Sequence, residues 1–169
     1  VSISLATDGA NTDLRITIDN DSLLRPSAGT TFFWTWDLVF GPGGQLDLWR
    51  MNPNSPNAKT RVTTSEDVNT EAAWGSDGTV AFARRAKGAS RFQIWRMPAA
   101  GGEPKLMIVS NVRNDTQPSW LQDGKLVFAT DRDDERDYDL FRATRPISGD
   151  AWSDARVTNA PGDDRGPNG

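Results

Sequence analysis

The sequence predicts an all-β fold, and three observations carry that prediction. An aromatic-basic stretch recurs as Asp47-Leu48-Trp49-Arg50-Met51, Phe92-Gln93-Ile94-Trp95-Arg96-Met97 and Asp139-Leu140-Phe141-Arg142-Ala143, with its aromatic residue at 49, 95 and 141, in steps of 46 residues. A second landmark keeps the same step: Trp74-Gly75-Ser76-Asp77-Gly78 returns as Trp120-Leu121-Gln122-Asp123-Gly124. Period-two alternation and β-branched or aromatic runs fill the intervals, and no stretch carries a convincing helical period. Two unrelated landmarks sharing one period make coincidence a poor explanation. A repeat of about 40–45 residues built from short strands is the signature of propeller blades. The expected architecture is a partial or incomplete β-propeller of about three four-stranded blades with a 46-residue period.

Residues 1–25 are expected to form a hairpin and an irregular junction, part of a preceding blade. Val1-Ser2-Ile3-Ser4-Leu5-Ala6 and Asp13-Leu14-Arg15-Ile16-Thr17-Ile18 alternate apolar and polar, and turn residues with Asp8-Gly9 separate them. Residues 26–68 are the next predicted blade. Pro26-Ser27-Ala28-Gly29 is a degenerate copy of the Ser-Asp-Gly turn, and residues 31–36 are β-branched and aromatic enough to read as a strand. Gly41-Pro42-Gly43-Gly44 is a loop, residues 45–51 the next strand, Pro53-Asn54-Ser55-Pro56-Asn57 a break, and residues 59–62 a short outer strand.

Residues 69–114 read as the cleanest blade, with strands at 71–74, 79–83, 92–97 and 105–109. Residues 115–158 repeat it, with 118–121, 125–129 and 138–143 as strands and 156–158 as a short closing edge. Residues 159–169 are a polar, turn-rich tail leading toward a further blade. The apolar runs have a physical reason. Blades packed face to face bury both faces of their middle strands, so alternation gives way to runs such as Leu126-Val127-Phe128. Each large aromatic side chain so buried contributes about 1.5–3 kcal/mol.

Composition narrows the function classes. A net charge of −4 and a pI near 4.8 argue against nucleic acid, whose phosphates call for clustered Lys and Arg. No run approaches the ~20 apolar residues of a membrane-spanning helix, so no membrane insertion is expected. No charged n-region followed by an apolar run opens the sequence, so a signal peptide is expected to be absent or already removed. Cys and His are both absent. That excludes disulfides, thiolate metal sites, His-containing triads and the usual zinc and haem sites within these residues. Neither a catalytic residue nor a cofactor or metal is expected. Seven Trp, several of them inside the repeats, favour a packing role.

The candidate sites are few. The segment Asp131-Arg132-Asp133-Asp134-Glu135-Arg136-Asp137-Tyr138-Asp139 could offer oxygens to Ca²⁺, but its spacing is not that of an EF-hand loop, and a solvated hairpin tip with internal ion pairs is the stronger reading. Arg50, Arg96 and Arg142 recur at one repeat position and could grip a carboxylate; pairing within the repeat is the plainer reading. The stretch 32–40 is the most apolar in the chain, and alternation puts Trp34, Trp36 and Leu38 on one face, beside Phe32. That face is either a protein interface or inter-blade core. Asn20-Asp21-Ser22 and Asn114-Asp115-Thr116 are glycosylation sequons, meaningful in a eukaryotic secretory setting.

The residues Pro118-x-Trp120-x-x-Asp123-Gly124-Lys125-Leu126-Val127-Phe128-Ala129-Thr130-Asp131-Arg132-Asp133, followed by Asp139-Leu140-Phe141, resemble the TolB-type β-propeller repeat. Residues 74–95 resemble it as well, without the leading Pro. The resemblance covers roughly residues 26–158. It implies four-stranded blades, a periplasmic or extracellular setting and binding of other protein subunits. Similar repeats build the gating propellers of prolyl-oligopeptidase-type serine peptidases. The expected function is therefore a non-catalytic interaction module in an extracytoplasmic complex. A propeller segment of a larger enzyme and a Ca²⁺- or glycan-binding propeller are the alternatives. Closed propellers have about 4–8 blades, so the ring is expected to be completed by a longer polypeptide or another chain, or else to stay an open arc.

Overall fold

The computed structural model describes residues 2–8, 11–17, 32–35, 46–52, 55–108, 113–134, 137–146, 152–159 and 161–167. They are all-β, in antiparallel sheets, and fall into two units, Val1–Thr30 and Thr31–Gly169. In the first unit β1 (Ser2–Asp8) pairs with β2 (Asn11–Thr17) from Ser2↔Thr17 to Asp8↔Asn11. The pairing runs further into the expected turn than the Asp-Gly signal implied, because Thr7 and Thr12 are β-branched and suit a pleated ladder.

The second unit holds three sheets. β3 (Phe32–Thr35), β4 (Leu48–Asn52) and β5 (Ser55–Arg61) pair in that order. β6 (Val68–Trp74), β7 (Thr79–Arg85), β8 (Gln93–Pro98) and β9 (Lys105–Leu106) form a four-stranded sheet. β10 (Asp115–Trp120), β11 (Leu126–Asp134), β12 (Asp137–Thr144) and β13 (Ser153–Arg156) form another. The predicted Pro26–Gly29 turn lies outside the described residues.

The Asp-Gly turns form as the sequence requires. Gly78 and Gly124 sit at φ +76° and +77°, where a Cβ would be strained. Asp77 and Asp123 each accept the N–H two residues on, at 2.9 and 3.1 Å, which fixes the turn.

The outer strands differ from expectation in a consistent way. The predicted strand at 105–109 pairs only through Lys105–Leu106, the predicted edge at 156–158 is Ser153–Arg156, and the one at 59–62 is Ser55–Arg61. In each case the chain then leaves the ladder, and two successive N–H groups converge on one carbonyl. Val62 and Thr63 donate to Leu48, Met107 and Ile108 to Ile94, and Val157 and Thr158 to Leu140. Pro56 is tolerated because β5 is an edge strand of its sheet.

The core lies between sheets. Val80 and Phe82 of β7 pack with Leu48, Met97 and Ala99, toward the three-stranded sheet. Ala81 faces the other way and packs with Ile94, Met107, Leu126 and Phe128. One strand thus serves two cores, which is why Thr79-Val80-Ala81-Phe82-Ala83 reads as a run and not an alternation. Adjacent strands set aromatic positions opposite each other, as Trp34↔Trp49, Phe82↔Trp95 and Phe128↔Phe141.

Candidate interaction site

The first strands of the two four-stranded sheets, β6 and β10, each carry a bulge. β6 advances from Thr70 to Ala73 while its partner moves from Ala83 to Ala81, and β10 from Thr116 to Ser119 against Ala129 to Val127. The extra residue puts Glu71 and Gln117 at φ 53° and 51°, a left-handed conformation that costs a non-glycine residue about 1–2 kcal/mol. Strain of this kind is kept where surrounding contacts hold it. Here the contact runs between sheets: the Gln117 N–H donates to Glu71 Oε2 at 2.8 Å, across 46 residues of sequence. The Gly166 N–H, at φ +68°, donates in turn to Gln117 Oε1 at 2.8 Å, across 49 residues. Gln117 and Gly166 thus each hand an N–H to the side chain of the preceding relay residue, Glu71 and Gln117 respectively.

Ion pairs hold the neighbouring positions. Asp115 is fully buried and faces Arg132, whose guanidinium also reaches Asp154 and lies over the Phe128 and Phe141 rings at 5.4 and 5.2 Å. Burial pushes the Asp115 carboxyl up to about 6, although the Arg132 charge pulls the other way. Asp67 behaves oppositely. Burial acts to raise it, but the Lys87 N–H, the Ser65 hydroxyl and Arg84 outweigh that and hold it below the ordinary carboxylate value.

Two further clusters were missed in the sequence. The Thr63 hydroxyl donates to Asp47 Oδ1 at 2.8 Å and accepts the Leu48 N–H at 2.9 Å, while Arg61 pairs with the other Asp47 oxygen. The Leu140 N–H donates to Thr158 at 2.9 Å, and Arg156 pairs with Asp139, in the same arrangement. The tripeptide Arg-Val-Thr stands at both 61–63 and 156–158, and that identity was the available signal.

The expected site residues are placed as follows. Phe32 and Trp34 lie on β3, opposite Met51 and Trp49, and Trp36 and Leu38 lie outside the described residues. Arg50, Arg96 and Arg142 sit on β4, β8 and β12, each on its own sheet. Arg50 is half-buried and donates to the Ala99 carbonyl at 3.3 Å, stitching one sheet to the next. Arg96 is half-buried and Arg142 exposed. Asp123 is held below the ordinary carboxylate value by its hydrogen bonds with Lys125 first, with the Arg142 charge assisting.

In the acidic segment, Asp131 accepts from Asn114, Asp137 from the Gly162 N–H, and Asp139 pairs with Arg156. No group of acids suited to a metal occurs among the described residues. Asn114 of the second sequon is tied to Asp131, and the sequon at Asn20 lies outside the described residues.

A pocket of about 100 Å³ opens where Gly75 and Asp77 meet Trp120, Arg145 and Trp152. Trp120 and Trp152 meet edge to face with centroids 5.9 Å apart, and the Trp120 indole donates to the Ala73 carbonyl at 3.2 Å. The volume is well below the roughly 300 Å³ at which small-molecule sites begin, so the pocket suits a side chain better than a substrate.

No protein-family model matches the sequence, and no curated protein matches it significantly. Solved structures do. A TolB structure from Agrobacterium tumefaciens superposes with a TM-score of 0.55 and 22% identity, covering 75% of this chain and 45% of its own. TolB from Acinetobacter baumannii superposes at 0.57 with 16% identity, covering 98% of this chain and 42% of its own. The likeness is one of fold. The chain spans less than half the length of either structure. No helix among the described residues is long and apolar enough to cross a membrane.

Proposed function

We propose that this chain is a propeller segment of the TolB type and acts as a non-catalytic module for protein–protein interaction in an extracytoplasmic complex. The three sheets of the second unit are read as successive blades, and residues 159–169 as the approach to another. The observation that carries the reading is the inter-sheet relay from Glu71 to Gln117 to Gly166. It repeats one contact geometry along the chain, as stacked blades demand, and the likeness of fold to the TolB neighbours supports the same reading. The polar chemistry supports a non-catalytic role: Asp47, Asp67, Asp115 and Asp139, all buried, are engaged in ion pairs.

Among the recurring arginines, Arg142 is the exposed one and is proposed as a partner contact. The apolar stretch containing Phe32, Trp34, Trp36 and Leu38 is proposed as a second. Native mass spectrometry tests the reading. Species above the 18.5 kDa of these residues are expected, as a longer polypeptide, further subunits or partners complete the arc. A stable 18.5 kDa monomer that unfolds cooperatively would overturn it.

A further inference from the structure

The pocket walled by Trp120 and Trp152 lies between two sheets that each have four strands within this chain, beside the β6–β7 and β10–β11 turns. Its walls are fixed in advance. Both indoles pack against the core that holds Ile94, Leu126 and Phe128, and Trp120 lies so close to Gly75 that a Cβ there would meet its ring at 3.1 Å. Preorganised walls lower the cost of binding.

The polar groups around this space are largely spent on one another. Gly75 donates its N–H to Thr79 at 2.7 Å and accepts from Gly78 at 3.1 Å. Leu121 donates to Lys125 at 2.8 Å and accepts from Gly124 at 3.0 Å. Asp77 accepts the Thr79 N–H through Oδ1, and its Oδ2 lies 3.7 Å from the Arg145 guanidinium, an exposed ion pair at the rim. The Trp120 indole donates to the Ala73 carbonyl. The Trp152 indole N–H is the exception: it is buried and has no acceptor among the described residues. An unpaired buried donor is costly, and an acceptor brought to it recovers that cost.

The pocket therefore suits a group that is compact, apolar toward the two rings, carries an acceptor and brings no donor to bury. A proline residue meets these terms, since it has a carbonyl and no backbone N–H. Proline-containing segments are also extended before they bind, and aromatic-lined grooves take them at low entropic cost. We propose that the Trp120–Trp152 pocket seats a proline of an extended partner segment, with the Trp152 indole N–H donating to a backbone carbonyl of that segment. The proposal rests on the interaction-module reading and deepens it, by naming a contact point and the chemistry of the partner.

The probe is a fluorescein-labelled decapeptide of alternating serine and proline, against the same peptide with alanine for every proline, read by anisotropy on the protein. The proline peptide is expected to bind about tenfold more tightly or better. Trp152→Phe keeps a ring but removes the donor, and is expected to weaken that binding about tenfold. In heteronuclear spectra, the indole N–H signal missing from Trp152→Phe is expected to move downfield when the proline peptide is added to the unmodified protein. Ser76→Leu, at an exposed position of the pocket lining, is expected to abolish binding with the thermal midpoint unchanged. Equal binding of the two peptides, binding of neither, or binding that leaves the Trp152 signal in place overturns the pocket as a proline site. If native species above 18.5 kDa persist in that case, the interaction-module reading stands without it.

Discussion

Gly75 is small because Trp120 rests on it. A Cβ there would lie 3.1 Å from the indole Cε2 and 3.2 Å from the Thr79 carbonyl oxygen, and neither a packed ring nor backbone yields cheaply. Gly75→Ala is expected to destabilise by about 1–3 kcal/mol, the usual cost of overpacking, read as a lower urea midpoint. The buried acids make stability depend on pH. The Asp115 carboxyl is raised from 3.8 to about 6 in the fold, so the folded state binds the extra proton between those values and loses stability as pH rises through them. Asp67, held low, works the other way: its contribution is present above 3.8 and is lost as pH falls through its lowered folded value. Between pH 4 and 6 the native protein should therefore lose stability relative to Asp115→Asn, by on the order of 1–3 kcal/mol. Urea titrations at successive pH values check this, and parallel curves would contradict it.

The Asp-Thr-Arg latches act on whole strands. Each ties the exit of an outer strand to the start of the strand beside it, at Asp47–Thr63–Arg61 and Asp139–Thr158–Arg156. The middle sheet keeps the same backbone convergence on Ile94 but has Gln93 and Ile108 at the corresponding places, and it buries Met107 and Ile108 instead. Polar latches and an apolar plug are two solutions to one chain path. Thr63→Val leaves the Leu48 N–H and the buried Asp47 oxygen without the hydroxyl, and should cost about 1–3 kcal/mol. Ile108→Val removes one methylene from a filled core and should cost about 0.5–1.5 kcal/mol. Hydrogen exchange separates the two, because only the first is expected to expose the Leu48 amide.

In the second unit as a whole, adhesion between sheets combines apolar stacking with the polar relay. Phe82 and Phe128 are fully buried on different faces, one toward each core. Phe128→Ala is expected to cost about 3–5 kcal/mol. The relay is separable from the core. Glu71→Gln retains an acceptor for the Gln117 N–H and should leave protection of that amide nearly unchanged, whereas Glu71→Ala removes it and should raise its exchange rate. Equal protection in both variants would mean that the apolar core alone holds the sheets in place.

Strand identity was legible because burial on two faces leaves apolar runs, and Asp-Gly leaves turns, that local chemistry enforces wherever the chain goes. Thr79-Val80-Ala81-Phe82-Ala83 and the turns at Gly78 and Gly124 could be read from the residues alone. The packing partner of each face could not, since Val80 and Ala81 are neighbours in sequence yet enter separate cores. The left-handed conformation of Glu71 and Gln117 was equally hidden: neither is a glycine, and what holds Gln117 there includes an oxygen 46 residues away. The Arg-Val-Thr tripeptides were visible as letters, but their meaning depends on Asp47 and Asp139 arriving beside them. Periodicity and turn chemistry are short-range and survive in sequence. Ion pairing, bulge strain and the choice of neighbour arise from contacts across many residues, and only the folded chain assembles them.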